Sequence, residues 1–214
     1  MDLNEYLTNH FPDLTLTPPL FYNSRVSIRF ELGDPPVFWV NKAAYMKRVY
    51  GRAIELFRAL HDPEDEVLLV THAYFWNKPK NRVKHLNLYR KYIKNKASIK
   101  ALRLEVVPDD DCEPGEVPDP RYNTYVYRTA CRVEDLNYAS LIRAICNHDV
   151  GIQPMIYHRV YFINTNKNTI FHIYDDRGCD VIASSRESLI GIYKAFNRWI
   201  LDYDRERIDR TFLE

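Results

Sequence analysis

The sequence predicts an α+β fold in which a mixed, mostly antiparallel sheet packs with about four helices. Seven segments have strand patterns and four have helical periodicity, in the order β-α-β-α-β-β-α-β-β-β-α. Several consecutive strands are joined too closely for the long crossover that parallel neighbours need. The whole chain, residues 1–214, fits one domain, because a chain of this size can bury roughly 70% of its extended surface.

Strands are predicted where apolar residues alternate with polar ones or form short apolar runs. Residues 26–32 alternate strictly, as in a half-buried strand. The largely apolar run Val67 to Trp76 predicts a central strand covered on both faces. The other strands are predicted at 102–106, 122–133, 157–163, 169–174 and 181–183, with a hairpin loop at 164–168.

Helices are predicted where apolar residues recur at spacings of three and four. The first follows Asn41, a favourable N-cap, and stops at His61. The second and third are predicted at 81–96 and 134–148. The last has a capping box, Ser184 with Glu187, and an apolar stripe that continues to Tyr203. Residues 108–120 have no regular pattern.

Composition indicates an ordinary globular protein. The sequence is 46% hydrophobic and 28% charged with a net charge of +1, which predicts no general attraction to nucleic acid or lipid. The four cysteines are widely spaced and form no C-x-x-C pair, so they signal neither a zinc site nor a redox motif, and we expect buried thiols in a reducing compartment. The acidic amino terminus and the lack of a membrane-length apolar run predict a cytoplasmic location.

The most distinctive segment is the acidic turn at 172–180, His-Ile-Tyr-Asp-Asp-Arg-Gly-Cys-Asp. An Asp at the start of a turn can accept a bond from the backbone two residues on, and Gly178 can take the positive φ that closes it. The simplest interpretation is a structural β-turn in which Arg177 pairs with a carboxylate.

Two functional interpretations of the same turn remain open. Asp175, Asp176 and Asp180 could converge on Mg²⁺ or Mn²⁺, with His172 or His72 as a proton carrier. Alternatively, the turn could present its carboxylates to a basic patch on a protein partner. In that case Tyr174, Tyr161 and Tyr157 are candidate aromatic anchors, and no cofactor is needed.

A second charged region lies earlier in the chain. Residues 78–100 contain seven Lys and two Arg with no acid, and Tyr89 and Tyr92 lie among them. Clustered cations with aromatic neighbours are typical of nucleic-acid binding. The following loop, residues 109–119, carries six acids, so the two segments could instead offset each other as solvated surfaces. The near-neutral net charge favours this second interpretation.

Two motifs support a family resemblance. They are Tyr-Asp-Asp-Arg-Gly-x-Asp-Val at 174–181 and Trp-Ile-Leu-Asp-Tyr-Asp-Arg at 199–205. With looser agreement in the amino half, the chain resembles a bacterial family labelled only as a domain of unknown function. The resemblance implies no catalytic residue, although some small families of this kind look like immunity proteins. The two motifs could also form one internal ion-pair network.

These observations favour a cytoplasmic protein-binding module of the immunity type, with Tyr174, Asp175, Asp176, Arg177 and Asp180 as its contact surface. The alternatives are a metal-dependent hydrolase or nuclease that uses the three aspartates, and nucleic-acid binding through 78–100. The leading hypothesis requires that the turn project its carboxylates into water.

Overall fold

The seven predicted strands form one sheet in the computed structural model, which describes residues 2–76, 83–108 and 122–213. Its strand order is β1-β7-β6-β5-β2-β4-β3, and each neighbouring pair is antiparallel. The strands are β1 (Ser27–Glu31), β2 (Glu66–Trp76), β3 (Arg103–Pro108), β4 (Tyr122–Arg132), β5 (Arg159–Asn164), β6 (Thr169–Ile173) and β7 (Gly178–Ala183). The α+β prediction is confirmed.

Eight α-helices accompany the sheet within the described residues, where about four were predicted. They are α1 (Leu3–His10), α2 (Pro35–Val40), α3 (Lys42–Leu60), α4 (Val83–Tyr92), α5 (Lys96–Lys100), α6 (Tyr138–Cys146), α7 (Glu187–Ala195) and α8 (Arg205–Leu213). Three of the additional helices, α1, α2 and α5, have only eight, six and five residues, too few to establish a periodic pattern. The irregular segment predicted at 108–120 lies almost wholly outside the described residues.

Both faces of the central strand β2 are buried, as its apolar run predicted. Val67 and Leu69 join the larger core, which α3, α6 and α7 cover. Leu68 and Val70 join a second cluster on the opposite face, which α1 and the segment after it cover. The amino-terminal residues therefore close one face of the sheet.

The start of α3 is as predicted, because the Asn41 side chain accepts a hydrogen bond from the Ala44 amide at 3.0 Å. The hairpin loop is also confirmed. The Asn164 carboxamide accepts from two loop amides, and Asn168 takes a positive φ of 50°. Of the cysteines, Cys131, Cys146 and Cys179 are buried free thiols, and Cys112 lies outside the described residues.

The predicted final helix is wrong in two respects. Its capping box does not form, since α7 begins at Glu187 with Arg186 at the N-cap and no side-chain cap. The helix also ends at Ala195, because the chain then runs against β1. There Ile200 bridges Phe30, and the Leu201 amide donates to the Arg29 carbonyl at 3.1 Å. Ile200 therefore lies against a strand edge, although its spacing continues the apolar stripe of the helix.

None of the described helices has the apolar length that a bilayer crossing requires.

Buried histidines should make the fold sensitive to acid. Burial lowers the pKa of His61 to about 4, although its bond to the Phe57 carbonyl opposes the shift. Burial also lowers the pKa of His172. Because unfolded imidazoles bind protons that these folded ones do not, the free energy of unfolding should decrease as the pH falls from 6.5 toward 4.

We expect urea unfolding to report a loss on the order of 2 kcal/mol from His61 between pH 6.5 and 4.5. The His61→Phe variant should show a shallower pH slope over this interval. If the free energy of unfolding has the same pH slope in the variant as in the wild type, His61 does not contribute to the acid sensitivity.

Candidate functional site

The acidic turn folds around Asp175. The Asp175 carboxylate accepts a 2.7 Å bond from the Arg177 amide and also pairs with the Arg177 guanidinium. The Tyr174 amide donates to the Gly178 carbonyl at 3.3 Å and closes the bend between β6 and β7. The predicted Arg177–carboxylate pair is present, and the Asp175 side chain accepts from the backbone two residues on, as predicted.

Gly178 is required for a different reason from the one predicted. Its φ does not lie in the left-handed region, whereas that of Gly151 does, at 69°. A Cβ at Gly178 would instead lie 2.0 Å from the Tyr174 hydroxyl oxygen and 2.7 Å from the Phe30 carbonyl oxygen. Glycine therefore allows the Tyr174 ring to pack directly on the strand backbone.

Asp180 is wholly buried and pairs with Arg29 of β1. Its carboxylate accepts bonds from Arg29 Nε at 2.8 Å and Nη2 at 3.0 Å, and from the Phe21 amide at 3.1 Å. Burial alone would lower the pKa of the Arg29 guanidinium, but the hydrogen bonds and charge of Asp180 outweigh it and raise that pKa. The turn is thereby anchored to the edge strand.

The second motif joins the same ion-pair network. Arg29 Nη1 lies 3.8 Å from Asp204 Oδ2, and the Tyr22 hydroxyl donates to Asp204 Oδ1 at 2.7 Å. Rings surround the guanidinium carbon, with centroids at 5.1 Å for Phe21, 4.9 Å for Tyr22 and 5.1 Å for Tyr174. The two motifs therefore form the internal ion-pair network that the sequence analysis gave as one interpretation.

Asp176 connects the turn to α3 and, through it, to α2. Its carboxylate accepts a hydrogen bond from the buried Tyr45 hydroxyl. Burial raises the pKa of Asp176, and the Tyr45 bond opposes this shift. The Tyr45 ring in turn meets Phe38 edge to face at a centroid distance of 5.2 Å. The turn thus supports the short helix that carries Phe38.

The expectation that the acidic turn projects its carboxylates into water is wrong, since all three are buried. Each binds a different partner, Arg177 for Asp175, Tyr45 for Asp176 and Arg29 for Asp180. The three carboxylates do not converge. Over residues 2–76, 83–108 and 122–213, no group of three or more His, Cys, Asp or Glu side chains could hold a metal ion.

Three of the histidines and tyrosines of the sequence hypotheses pack together, since the Tyr161 ring centroid lies 5.0 Å from that of His72 and 4.5 Å from that of His172. His172 is buried, with Nδ1 2.9 Å from the Val160 carbonyl oxygen, and burial lowers the pKa of His72 to about 4. Tyr161 is buried and donates to the Leu16 carbonyl at 2.8 Å, whereas Tyr157 is exposed and its ring contacts His148.

In the basic segment Tyr89 and Tyr92 are both buried, so neither ring is available to stack on a base.

What the turn does expose is Arg177, whose side chain is 69% accessible. Arg177 lines a cleft of about 530 Å³ together with Arg29 and Tyr174. It also lines a second cleft of about 230 Å³ with Phe38 and Trp39. On α2, Trp39 and Val40 are 85% and 87% exposed. We call Trp39, Val40, Tyr174, Arg177 and the two clefts the Arg177 surface.

The sequence hypothesis included Tyr174 and Arg177 but missed Trp39, Val40 and Arg29. Two signals could have located these residues. One was Arg29 among the apolar residues of a strand, and the other was an apolar Val-Phe-Trp-Val run directly after two prolines. A short helix that begins with proline has few residues with which to bury such a run.

Gly178→Ala should destabilise the protein by about 2 kcal/mol or more, because the added methyl overlaps Tyr174 and the Phe30 backbone. Gly191→Ala is the matched control. A Cβ there meets nothing within 4 Å inside α7, so this variant should gain about 0.5–1 kcal/mol. Chemical denaturation measures both, and similar effects in the two variants would contradict the packing argument.

Asp180→Asn should cost about 3 kcal/mol or more, because it leaves the Arg29 charge buried without its partner. The control is Arg25→Gln, which breaks a pair with Asp13 whose side chains are 83% and 81% exposed. This change should cost less than about 1 kcal/mol. Equal melting temperatures for the two variants would show that the buried pair is not needed.

Comparison with known proteins identifies a family whose description states no activity. Residues 3–204 match the family described as Domain of unknown function (DUF3885). The chain is 28% identical over 214 residues to the uncharacterized protein YnaE of Bacillus subtilis strain 168, covering 95% of this chain and 99% of the relative. No solved structure matches the chain. The resemblance stated from the two motifs is confirmed.

Proposed function

Because the chain belongs to the DUF3885 family, whose description states no activity, its role must be inferred from its geometry, and we propose a cytoplasmic protein-binding module. The observation that carries the proposal is the exposure of Trp39 and Val40 beside Arg177. Adjacent large apolar side chains that stay almost fully in water on α2 would be stabilised by contact with a partner. Trp and Arg are also the residue types enriched among interface hot spots.

The support beneath this surface favours binding. Asp176 holds Tyr45, Tyr45 packs on Phe38, and Phe38 directly precedes Trp39. Within α2 itself, the Asn41 amide closes the helix by donating to the Val37 carbonyl at 2.8 Å. A surface fixed before binding loses less conformational entropy when the partner arrives. The buried carboxylates of the turn therefore position the contact residues.

The two clefts suggest the chemistry of the partner. The smaller one, at about 230 Å³, has room for about one apolar side chain between Phe38, Trp39 and Arg177. Asp149 and Asp176 also line this cleft, and Arg177 already pairs with Asp175 through Nε and Nη2, which leaves Nη1 to donate to a partner oxygen. We propose that the partner inserts an apolar side chain beside a hydrogen-bond acceptor. A toxin neutralised by an immunity-type protein is one partner of this kind.

The geometry favours the two alternatives less. A metal-dependent hydrolase would need Asp175, Asp176 and Asp180 to converge, whereas each is engaged by a separate protein donor. Nucleic-acid binding through 78–100 would gain from exposed rings, whereas Tyr89 and Tyr92 are buried.

A crosslinking experiment tests the proposal. Affinity-tagged protein is expressed in the organism that encodes it, treated with a lysine- and carboxylate-reactive crosslinker, and purified under denaturing conditions. We expect one protein to be recovered near stoichiometry by the wild type and to be reduced at least tenfold by Trp39→Ser combined with Val40→Ser. The reason is that truncation of hot-spot residues costs about 2 kcal/mol or more each.

Tyr203→Ser is the matched control, because Tyr203 is an equally exposed aromatic residue, at 87%, outside the Arg177 surface. It should leave recovery unchanged. The Arg177 surface would be refuted as the binding site if the wild type, the double variant and the control captured the partner equally. It would also be refuted if the control lost the partner as well. Circular dichroism verifies that each variant is folded.

A further inference from the structure

A third cavity, of about 460 Å³, lies at the carboxyl end of α3. Its lining includes Phe57, Arg58, His61, Lys94 and Tyr138, together with two carboxylates, Asp62 and Glu134. This volume lies within the range of small-molecule sites, which are concave and largely apolar with a few polar groups. None of these residues belongs to the Arg177 surface.

Three rings are stacked in the wall of this cavity. Tyr138 lies on Phe57 with centroids 4.6 Å apart and planes inclined by 21°, and Phe57 lies on His61 at 4.0 Å and 16°. Phe57 is buried between its neighbours. Because both faces of Phe57 are covered, a planar ligand would meet the ring edges of this fixed aromatic wall and the outer face of Tyr138.

Two cations at the cavity have no ion-pair partner in the described part of the chain. Arg58 Nε donates to the Tyr138 hydroxyl at 3.0 Å, and Lys94 Nζ donates to the Glu134 carbonyl at 2.9 Å. The two carboxylates of the lining are engaged by other cations, since Glu134 pairs with Arg132 at 3.4 Å and Asp62 with Lys167 at 2.8 Å. Arg58 and Lys94 therefore remain available to an anion.

His61 contributes an unused acceptor. Its Nδ1 lies 2.8 Å from the Phe57 carbonyl oxygen, so Nδ1 is the protonated nitrogen and Nε2 carries a lone pair. Nε2 is buried and has no hydrogen-bond partner among the residues that the structure describes. An unsatisfied buried acceptor is costly, and a ligand with an N–H or O–H group would relieve that cost.

We propose that this cavity binds a small aromatic acid that also carries an N–H or O–H donor. Its ring packs against the wall formed by Tyr138, Phe57 and His61. Its anionic group pairs with Arg58 and Lys94, and its donor reaches His61 Nε2. No cofactor and no residue of the Arg177 surface take part, so this proposal stands or falls independently of the protein-binding proposal.

Isothermal titration calorimetry with indole-3-carboxylate tests the proposal, because this probe has a planar ring, a carboxylate and an N–H donor. We expect binding by the wild type and at least tenfold weaker binding by Arg58→Gln combined with Lys94→Gln. The neutral indole-3-carboxamide should bind at least tenfold more weakly to the wild type. Arg210→Gln removes another exposed cation, 67% accessible, on α8, and should not change affinity.

A second measurement follows the His61 ring nitrogens by ¹⁵N NMR. The Nε2 resonance should shift with indole-3-carboxylate and shift less with its N-methyl analogue, which lacks the donor. Any one of three results would overturn the proposal. Indole-3-carboxylate could fail to bind at millimolar concentration, the variant that lacks both cations could bind it as tightly as the wild type, or the Nε2 resonance could stay unchanged.

Discussion

The ion pair between Arg29 and Asp180 joins parts of the chain that are far apart in sequence. Asp180 is 151 residues from Arg29, and the same carboxylate accepts the Phe21 amide. Through Asp204 the pair also holds the segment that precedes α8. A buried pair of this kind adds little net stability over an apolar alternative, but loss of one partner is expensive. Its contribution is therefore to specify one arrangement of both chain ends against the sheet edge.

This constraint decides what the acidic turn can do. Because Asp180 pairs with Arg29, the turn connects β6 to β7 in one orientation. In this orientation Asp175 and Asp176 are buried. Arg177 is left outside, beside Trp39. The exposed surface beside α2 is then aromatic and apolar with one arginine, although three of the nine residues of the turn are acidic.

Local patterns predicted most of the fold because most of its elements follow local rules. The strands show alternation or apolar runs, and α3 has both a cap and a long periodic stripe. The predicted end of the last helix was wrong because Ile200 continues the apolar spacing of the helix but forms a β-bridge with Phe30 on β1. The burial of the turn could not be inferred locally either, since its partners Arg29 and Tyr45 lie more than a hundred residues away.

The two proposed sites lie at opposite ends of α3. With 19 residues, this helix is about 28 Å long, so a ligand at His61 cannot touch a protein seated on Trp39 unless that partner is large. Tyr45, near the start of α3, supports the Arg177 surface, and Phe57, near its end, supports the aromatic wall. Both supports are buried, so a substitution at either position would test packing rather than binding. The exposed residues Trp39, Arg58 and Lys94 are therefore the positions at which the two sites can be separated experimentally.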